Sequence, residues 1–317
     1  MPLLCRQNFN SMSILIVGTV AFDAIETPFG KREKIIGGSA TYIGLSAANF
    51  YRPIHLVSVV GSDFPKVTLE DFNKRGIKTD GVQVMKGKKS FFWSGKYHMD
   101  MNSRDTLRTD LNVLADFNPV LPERVRKPSM LMLGNIDPAL QIKVIEQLQA
   151  RPKLIAMDTM NFWMDVARPS LDRVLKMVDV LIVNDEEVRQ LSGEYAIVKA
   201  VKKIMQRGPK TVIVKKGEHG ALLFSGGEVF FAPALPLEEV FDPTGAGDTF
   251  AGGFMGYLAQ SGSISFTNMK RAIIYGSAMA SFCVEKFGPE KLLQLKKKEL
   301  RGRIDQFRQL SRFHIKP

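Results

Sequence analysis

Short runs of apolar, largely β-branched residues recur along this chain, each separated from the next by a longer stretch of helical character. They occupy 14–18, 54–60, 130–133, 154–157, 180–183 and 211–214. A run that is apolar at nearly every position, rather than at every second one, has both faces buried. Such strands alternating with helices specify an α/β fold, a mainly parallel sheet covered on both sides. Helices are expected at 40–49, 67–75, 138–149, 197–207, 246–260 and 267–286. With 317 residues, 45% of them hydrophobic, the chain can bury a large core. No repeat, low-complexity tract or long linker divides it, so 13–317 is expected to form a single domain. Residues 1–12 carry no pattern and are read as a disordered extension.

Two stretches break the alternation. Residues 23–36 are polar and turn-rich, and 82–106 include the extended aromatic run Phe91, Phe92, Trp93 and Tyr97. Together they are expected to form a small β-sheet lid over the main sheet. Ligands of open parallel sheets bind at the carboxyl ends of the strands. A lid there excludes water during transfer. The aromatic rings either stack on a ligand or form the apolar face of the small sheet. Arg104 and Arg108 either clamp an anion or face solvent.

The chain carries a formal net charge of +12. Part of the excess lies in Lys296, Lys297, Lys298, Arg301, Arg303, Arg308 and Arg312. Leu293, Leu300, Ile304, Phe307 and Leu310 alternate with these near helical spacing, so the charges read as the solvated face of an amphipathic helix. No zinc-finger or RNA-binding pattern accompanies them, and no nucleic-acid partner is expected. No apolar run approaches the roughly 20 residues that cross a bilayer, so no membrane partner is expected either. The two cysteines, Cys5 and Cys283, offer neither metal spacing nor a disulfide framework. A reducing cytoplasmic setting is the simple expectation.

The most informative stretch runs from Asp242 through Pro243, Thr244, Gly245, Ala246, Gly247, Asp248 and Thr249 to Phe254. Small residues at a helix entrance leave backbone N–H groups approachable, and the helix dipole favours an anion there. A carboxylate beside that site can take the proton of an attacking hydroxyl. Asp248 has the chemistry for this, although an aspartate here also serves as a helix cap. Rival nucleotide folds lack their signatures. Gly18 is not followed by the Gly-x-Gly-x-x-Gly of dinucleotide binders. The stretch Gly87-Lys88-Lys89-Ser90 lacks the upstream glycine of a Walker loop.

These motifs, in this order, resemble those of the PfkB (ribokinase-like) carbohydrate kinase family, from Ser13 to about Gly288. Beyond the 242–254 stretch, the resemblance rests on Gly37-Gly38-Ser39-Ala40, Asp158-Thr159-Met160-Asn161, Asn184-Asp185-Glu186-Glu187 and Lys216-Gly217-Glu218-His219-Gly220. It implies a ribokinase-like three-layer fold and ATP-dependent phosphorylation of a sugar or polyol hydroxyl. Asp248 would be the base, with Gly245, Ala246 and Gly247 forming an anion hole beside it. Asp23, Gly37, Gly38 and Ser39 would bind the acceptor. Asn184, Lys216, Gly217, Gly220 and Ser277 would bind ATP. Asn184 and Glu187 would organise Mg²⁺ through water, and Asp242 and Thr244 would flank a K⁺ site. A homodimer through the lid is implied as well. Ser39 and Tyr42 stand where ribose kinases of the family carry lysine and asparagine. A nucleoside kinase of the same family is therefore the second reading, and a ligand-binding protein without turnover the third.

Overall fold

The computed structural model describes residues 12–310 and 312. The expected extension, apart from Met12, lies outside the described residues, as does Cys5. In chain order the first half holds β1 (Ile14–Val17), β2 (Ala21–Thr27), β3 (Gly30–Gly37), α1 (Ser39–Ala47), β4 (Ile54–Gly61), α2 (Lys66–Lys74), β5 (Ile77–Met85), β6 (Phe92–Tyr97) and β7 (Arg104–Asp110). There follow β8 (Met130–Leu133), α3 (Pro138–Glu146), β9 (Leu154–Asp158), α4 (Asn161–Val166), α5 (Arg168–Leu175), β10 (Val180–Asn184), α6 (Asp185–Ser192) and α7 (Ile197–Met205). The last part holds β11 (Thr211–Lys215), β12 (Ala221–Ser225), β13 (Glu228–Ala232), α8 (Ala246–Ser261), α9 (Phe266–Cys283), α10 (Glu290–Gln294) and α11 (Lys297–Leu310).

The large sheet has the order β13-β12-β11-β10-β9-β8-β1-β4-β5. Its pairings are parallel from β11 to β5, and β12 and β13 add an antiparallel edge. Strand alternation sends successive side chains to opposite faces. Ile14, Ile16, Met130, Met132, Leu154, Ala156, Val180, Ile182 and Ile213 join one core with α1, α8 and α9. Leu15, Val17, Leu131, Leu133, Ile155, Met157, Leu181, Val183, Val212 and Val214 join a second core with α3, α5, α6 and α7. The result is a three-layer sandwich of helices, sheet and helices. Among the described residues no helix is long and apolar enough to cross a membrane.

The small sheet has the order β3-β2-β6-β7. Residues 82–85, read from sequence as part of the lid, instead extend β5 along the edge of the large sheet. At the other end of the chain, α11 buries Leu300, Ile304 and Phe307 as its pattern predicts. Arg303 departs from the solvated face. Its guanidinium lies 4.0 Å from the centre of the Phe282 ring and bonds to Ser281 and Glu285.

Helix α8 is wedged between α1 and α9 through small residues. A Cβ on Gly252 would lie 2.3 Å from the Ile43 carbonyl oxygen of α1, and one on Gly253 would lie 2.9 Å from the Gly276 Cα of α9. Glycine normally costs a helix about 1 kcal/mol relative to alanine. Here a methyl group would push two backbones apart, an overpacking cost of about 1–3 kcal/mol. Gly252→Ala is therefore expected to lower the urea midpoint. An unchanged or raised midpoint would show that α1 can move away freely.

Candidate active site

Three parallel strands end in polar side chains on one face. Val180 and Ile182 of β10 pack toward α8 and α9, as do Leu154 and Ala156 of β9 and Ile213 of β11. Period-two alternation therefore aims Asn184, Asp158 and Lys215 to that same side. Cross-strand register sets Asn184 beside Lys215 and Asp158 beside Ile182. The Lys215 ammonium lies 3.7 Å from Asp158 Oδ2. It also lies 2.8 Å from where a Cβ on Gly247 would sit. The strand ends thus meet the entrance of α8.

That entrance is held by Asp242, which is fully buried. One carboxylate oxygen accepts the Thr244 N–H at 2.8 Å and the other the Gly288 N–H at 2.8 Å. Gly245 follows with φ 74°, a left-handed conformation that favours glycine. The Tyr42 ring fills the space its side chain would need, 2.5 Å from the Cβ position. The Ala246 amide donates to the Pro243 carbonyl, and the Thr249 amide to Gly245. Among the described residues the amides of Gly247 and Asp248 have no backbone acceptor. These donors, at the positive end of a helix dipole, form an anion cradle.

Asp248 is half-buried at the rim of this cradle. Its Oδ1 is shielded from solvent yet makes no hydrogen bond among the described residues. Burial, followed by repulsion from Asp158, pushes its carboxyl up to about 7, while Lys215 and Arg104 pull the other way. Asp23 is buried on β2, packed against Gly37 so closely that a Cβ there would lie 1.8 Å from its Oδ2. Burial, then repulsion from Asp242 and Asp248, pushes it up to about 7 as well, opposed by a bond from the Gly38 amide. Gly38, at φ 92°, turns the chain from β3 into α1.

The lid supplies the roof. Asp23 pairs in register with Trp93, so the two share a face of the small sheet with Gly95 and Tyr97. A Cβ on Gly95 would lie 2.1 Å from the Trp93 indole, which lies flat across the glycine. The Tyr97 hydroxyl accepts a hydrogen bond from the Thr244 hydroxyl at 3.2 Å. At the tip of the β6–β7 hairpin, Asn102 Oδ1 lies 2.5 Å from where a Cβ on Gly217 would sit. The hairpin therefore spans from the Asp242–Gly245 loop to the β11–β12 turn.

Two expectations shift. Ser39 is buried and faces inward. Its Oγ accepts the Thr19 N–H at 3.1 Å, and its own amide donates to Thr19 Oγ1 at 2.9 Å, so it fixes the start of α1 rather than lining the acceptor space. Lys216 uses its backbone amide to close the turn onto Gly220, and Lys215 is the lysine that faces the cradle. Gly217 and Gly220 sit in that turn, Gly220 tight against the Ala232 carbonyl. Ser277 is half-buried on α9, next to Gly276, which packs on Phe250. Asn184 and Glu187 form a reciprocal capping box: Asn184 Oδ1 accepts the Glu187 N–H, and Glu187 Oε2 accepts the Asn184 N–H, both at 2.7 Å. Burial pushes the Glu187 carboxyl up to about 7 against the pull of Lys215. The sequence reading gave no role to Lys215 or Asp158. Strand parity was the signal available for both. Arg104, which acts electrostatically on Asp248 and Glu187 from the lid, is one of the two arginines that the sequence offered as an anion clamp.

Asp23 makes stability depend on pH with a definite sign. Its carboxyl keeps a proton in the fold over a range where an unfolded chain, near 3.9, has lost it. Its contribution is therefore full below about pH 4 and is lost as pH rises through about 7. Asp23→Asn is expected to stabilise the fold by about 4 kcal/mol at about pH 8, with the gain vanishing near pH 4. Urea midpoints at the two pH values check this, and an equal gain at both would contradict it.

Residues 13–295 match the pfkB family carbohydrate kinases. The cytidine kinase of Thermococcus kodakarensis is 30% identical over 248 residues, covering 77% of this chain and 87% of that protein. The nucleoside kinase of Methanothermobacter thermautotrophicus is 23% identical over 307 residues, 87% of this chain and 91% of its own. Among solved structures, an E. coli protein described as a ribokinase II, in complex with ATP and Mg²⁺, superposes with a TM-score of 0.78 at 20% identity. It covers 93% of this chain and 99% of its own. A Burkholderia thailandensis nucleoside kinase bound to inosine gives 0.76 at 20% identity, covering 92% of this chain and 97% of its own. The fold is therefore ribokinase-like, and the chain belongs to the pfkB family of carbohydrate kinases, phosphotransferases with a hydroxyl acceptor.

Proposed function

We propose that this protein transfers the terminal phosphoryl group of ATP to a hydroxyl of a ribosyl substrate, with Asp248 as base. The observation that carries the reading is the shielded, unbonded Oδ1 of Asp248 beside the two free amides of Gly247 and Asp248. Asp248 takes the proton of the attacking hydroxyl. As the new P–O bond forms, the bond to the departing oxygen breaks, and its electron pair leaves with ADP. A carboxyl near 7 is well matched to this task at neutral pH. The amides of Gly247 and Asp248 stabilise charge on the transferring group. Asp23 would accept bonds from acceptor hydroxyls.

The residues present fit Mg²⁺ held mainly by phosphate and water. Among the described residues no cluster of three or more ligating side chains forms a protein cage, which is the usual arrangement for this ion. Glu187 keeps one oxygen outside its capping bond to accept from water around the ion, and Asn184 keeps its amide nitrogen to donate to a phosphate oxygen. When bound, the ion neutralises phosphate charge. Each Asp242 oxygen accepts one amide, and the Thr244 hydroxyl donates to Tyr97. Each of these oxygens keeps a lone pair, so the pair fits a K⁺ site, and no step is assigned to it. The reading includes a cytoplasmic setting, where ATP is supplied. It also includes self-association through the lid, whose edge strands β3 and β7 each have one partner among the described residues.

Within this reading a nucleoside acceptor is favoured over a free sugar. Trp93 lies half-exposed on the same face as Asp23, with its ring flat over Gly95, a platform suited to stacking a base above a bound ribose. The cytidine and nucleoside kinase relatives support the same choice. Indole fluorescence is expected to respond to cytidine or inosine and not to ribose. A response to ribose alone would favour a sugar.

Asp248→Asn is expected to cost at least about 10²-fold in turnover, with ATP binding retained. Near-normal ADP release from the folded variant would refute the role of Asp248.

A further inference from the structure

Lys215 carries a half-buried ammonium whose ion pair with Asp158 is loose. Its side chain is 18% exposed, at the end of β11. Removing an ammonium from water is costly unless close partners replace the lost hydration. Its nearest carboxylate, Asp158 Oδ2, stands at 3.7 Å, beyond hydrogen-bond range. An ammonium carries three donors. Beside it lie the free amides of Gly247 and Asp248, and the Gly247 side-chain position is only 2.8 Å from its nitrogen. Donors from two elements, the ammonium and the two amides, converge on one space. A spherical ion or a single carboxylate would not satisfy them all, whereas a group with three oxygens would.

We propose that Lys215 is a catalytic residue whose ammonium grips the terminal phosphoryl group of the nucleotide while that group is transferred. The inference rests on the kinase reading above and adds to it a positive charge supplied by the protein itself. Three carboxylates, Asp158, Glu187 and Asp248, surround this ammonium electrostatically. Without it, the incoming phosphoryl oxygens would face those carboxylates with no ammonium between them. The adjacent Lys216 lies one position past β11, where its amide closes the β11–β12 turn. The alternative is that Lys215 only neutralises Asp158.

The test combines two measurements on the whole chain. The first is the rate of ADP release with ATP, Mg²⁺ and whichever of ribose, fructose, cytidine or inosine is turned over fastest. The second is calorimetric binding of ADP and of the β,γ-imido analogue of ATP. Lys215→Met is expected to lower kcat about 10²–10³-fold. It should also weaken the imido analogue about tenfold while leaving ADP nearly unchanged. Retained ADP binding reports that the variant is folded. In Lys215→Met/Asp158→Asn, which also removes the carboxylate that Lys215→Met leaves without its ion pair, the preference for the imido analogue should stay lost. A Lys215→Met variant within about threefold of the parent in kcat overturns the inference. So does recovery of the preference in the double variant, because Lys215 would then act only on Asp158. If the parent phosphorylates none of the four acceptors, the kinase reading fails by itself. The binding measurement still decides on Lys215, since an unchanged preference for the imido analogue would overturn its contact with the terminal phosphoryl group.

Discussion

The buried carboxylate of Asp242 is the point on which the rest of the site turns. Fully buried, it is satisfied by two backbone amides far apart in the chain, those of Thr244 and Gly288. Those bonds hold the loop before α8 against the segment after α9. That position allows the left-handed turn at Gly245, which aims the first amides of α8 outward. Tyr42 completes the arrangement from below by filling the space that any side chain at 245 would occupy. An unmet charge in such a place would cost several kcal/mol, so the loop has little freedom to take another form.

Around that fixed loop the site holds more negative than positive groups. Asp23, Asp158, Glu187 and Asp248 converge, with Lys215 among them and Arg104 reaching in electrostatically from the lid. Burial raises all four carboxyls, and mutual repulsion adds to the rise for Asp23, Glu187 and Asp248. The sandwich supplies the stability that lets this cluster persist, through two apolar cores split by strand parity. Groups held poised between protonation states in this way are characteristic of sites that move protons.

Much of this was legible along the chain, for local reasons. Doubly buried strands announce themselves by unbroken apolar runs, and glycines at a helix start announce an anion cradle. The same holds for the polar insertions, which form the small sheet over the strand ends. What was hidden depended on register or on distance. Lys215 and Lys216 are chemically identical neighbours, and only alternation along β11 tells which faces α8. Ser39 follows a glycine pair, yet a partner twenty residues earlier, Thr19, captures its hydroxyl. Asp158 ends an apolar strand, and its pairing with Lys215 requires the order β9-β10-β11 to be known. Residues 82–85 carry the same extended character as the lid strands, and only pairing with β4 assigns them to the large sheet.

The β6–β7 hairpin is pinned at two points, where Tyr97 meets Thr244 and where Asn102 rests on Gly217. One ribbon therefore reaches from the Asp242–Gly245 loop to the β11–β12 turn, so a molecule that held it down at one end would act on the other. Whatever free energy one occupant contributes to holding the ribbon down also raises the affinity of the other by the same amount, since linkage between two bound molecules is reciprocal. The two reactants then need not touch to sense one another, and the departure of the first product loosens its companion.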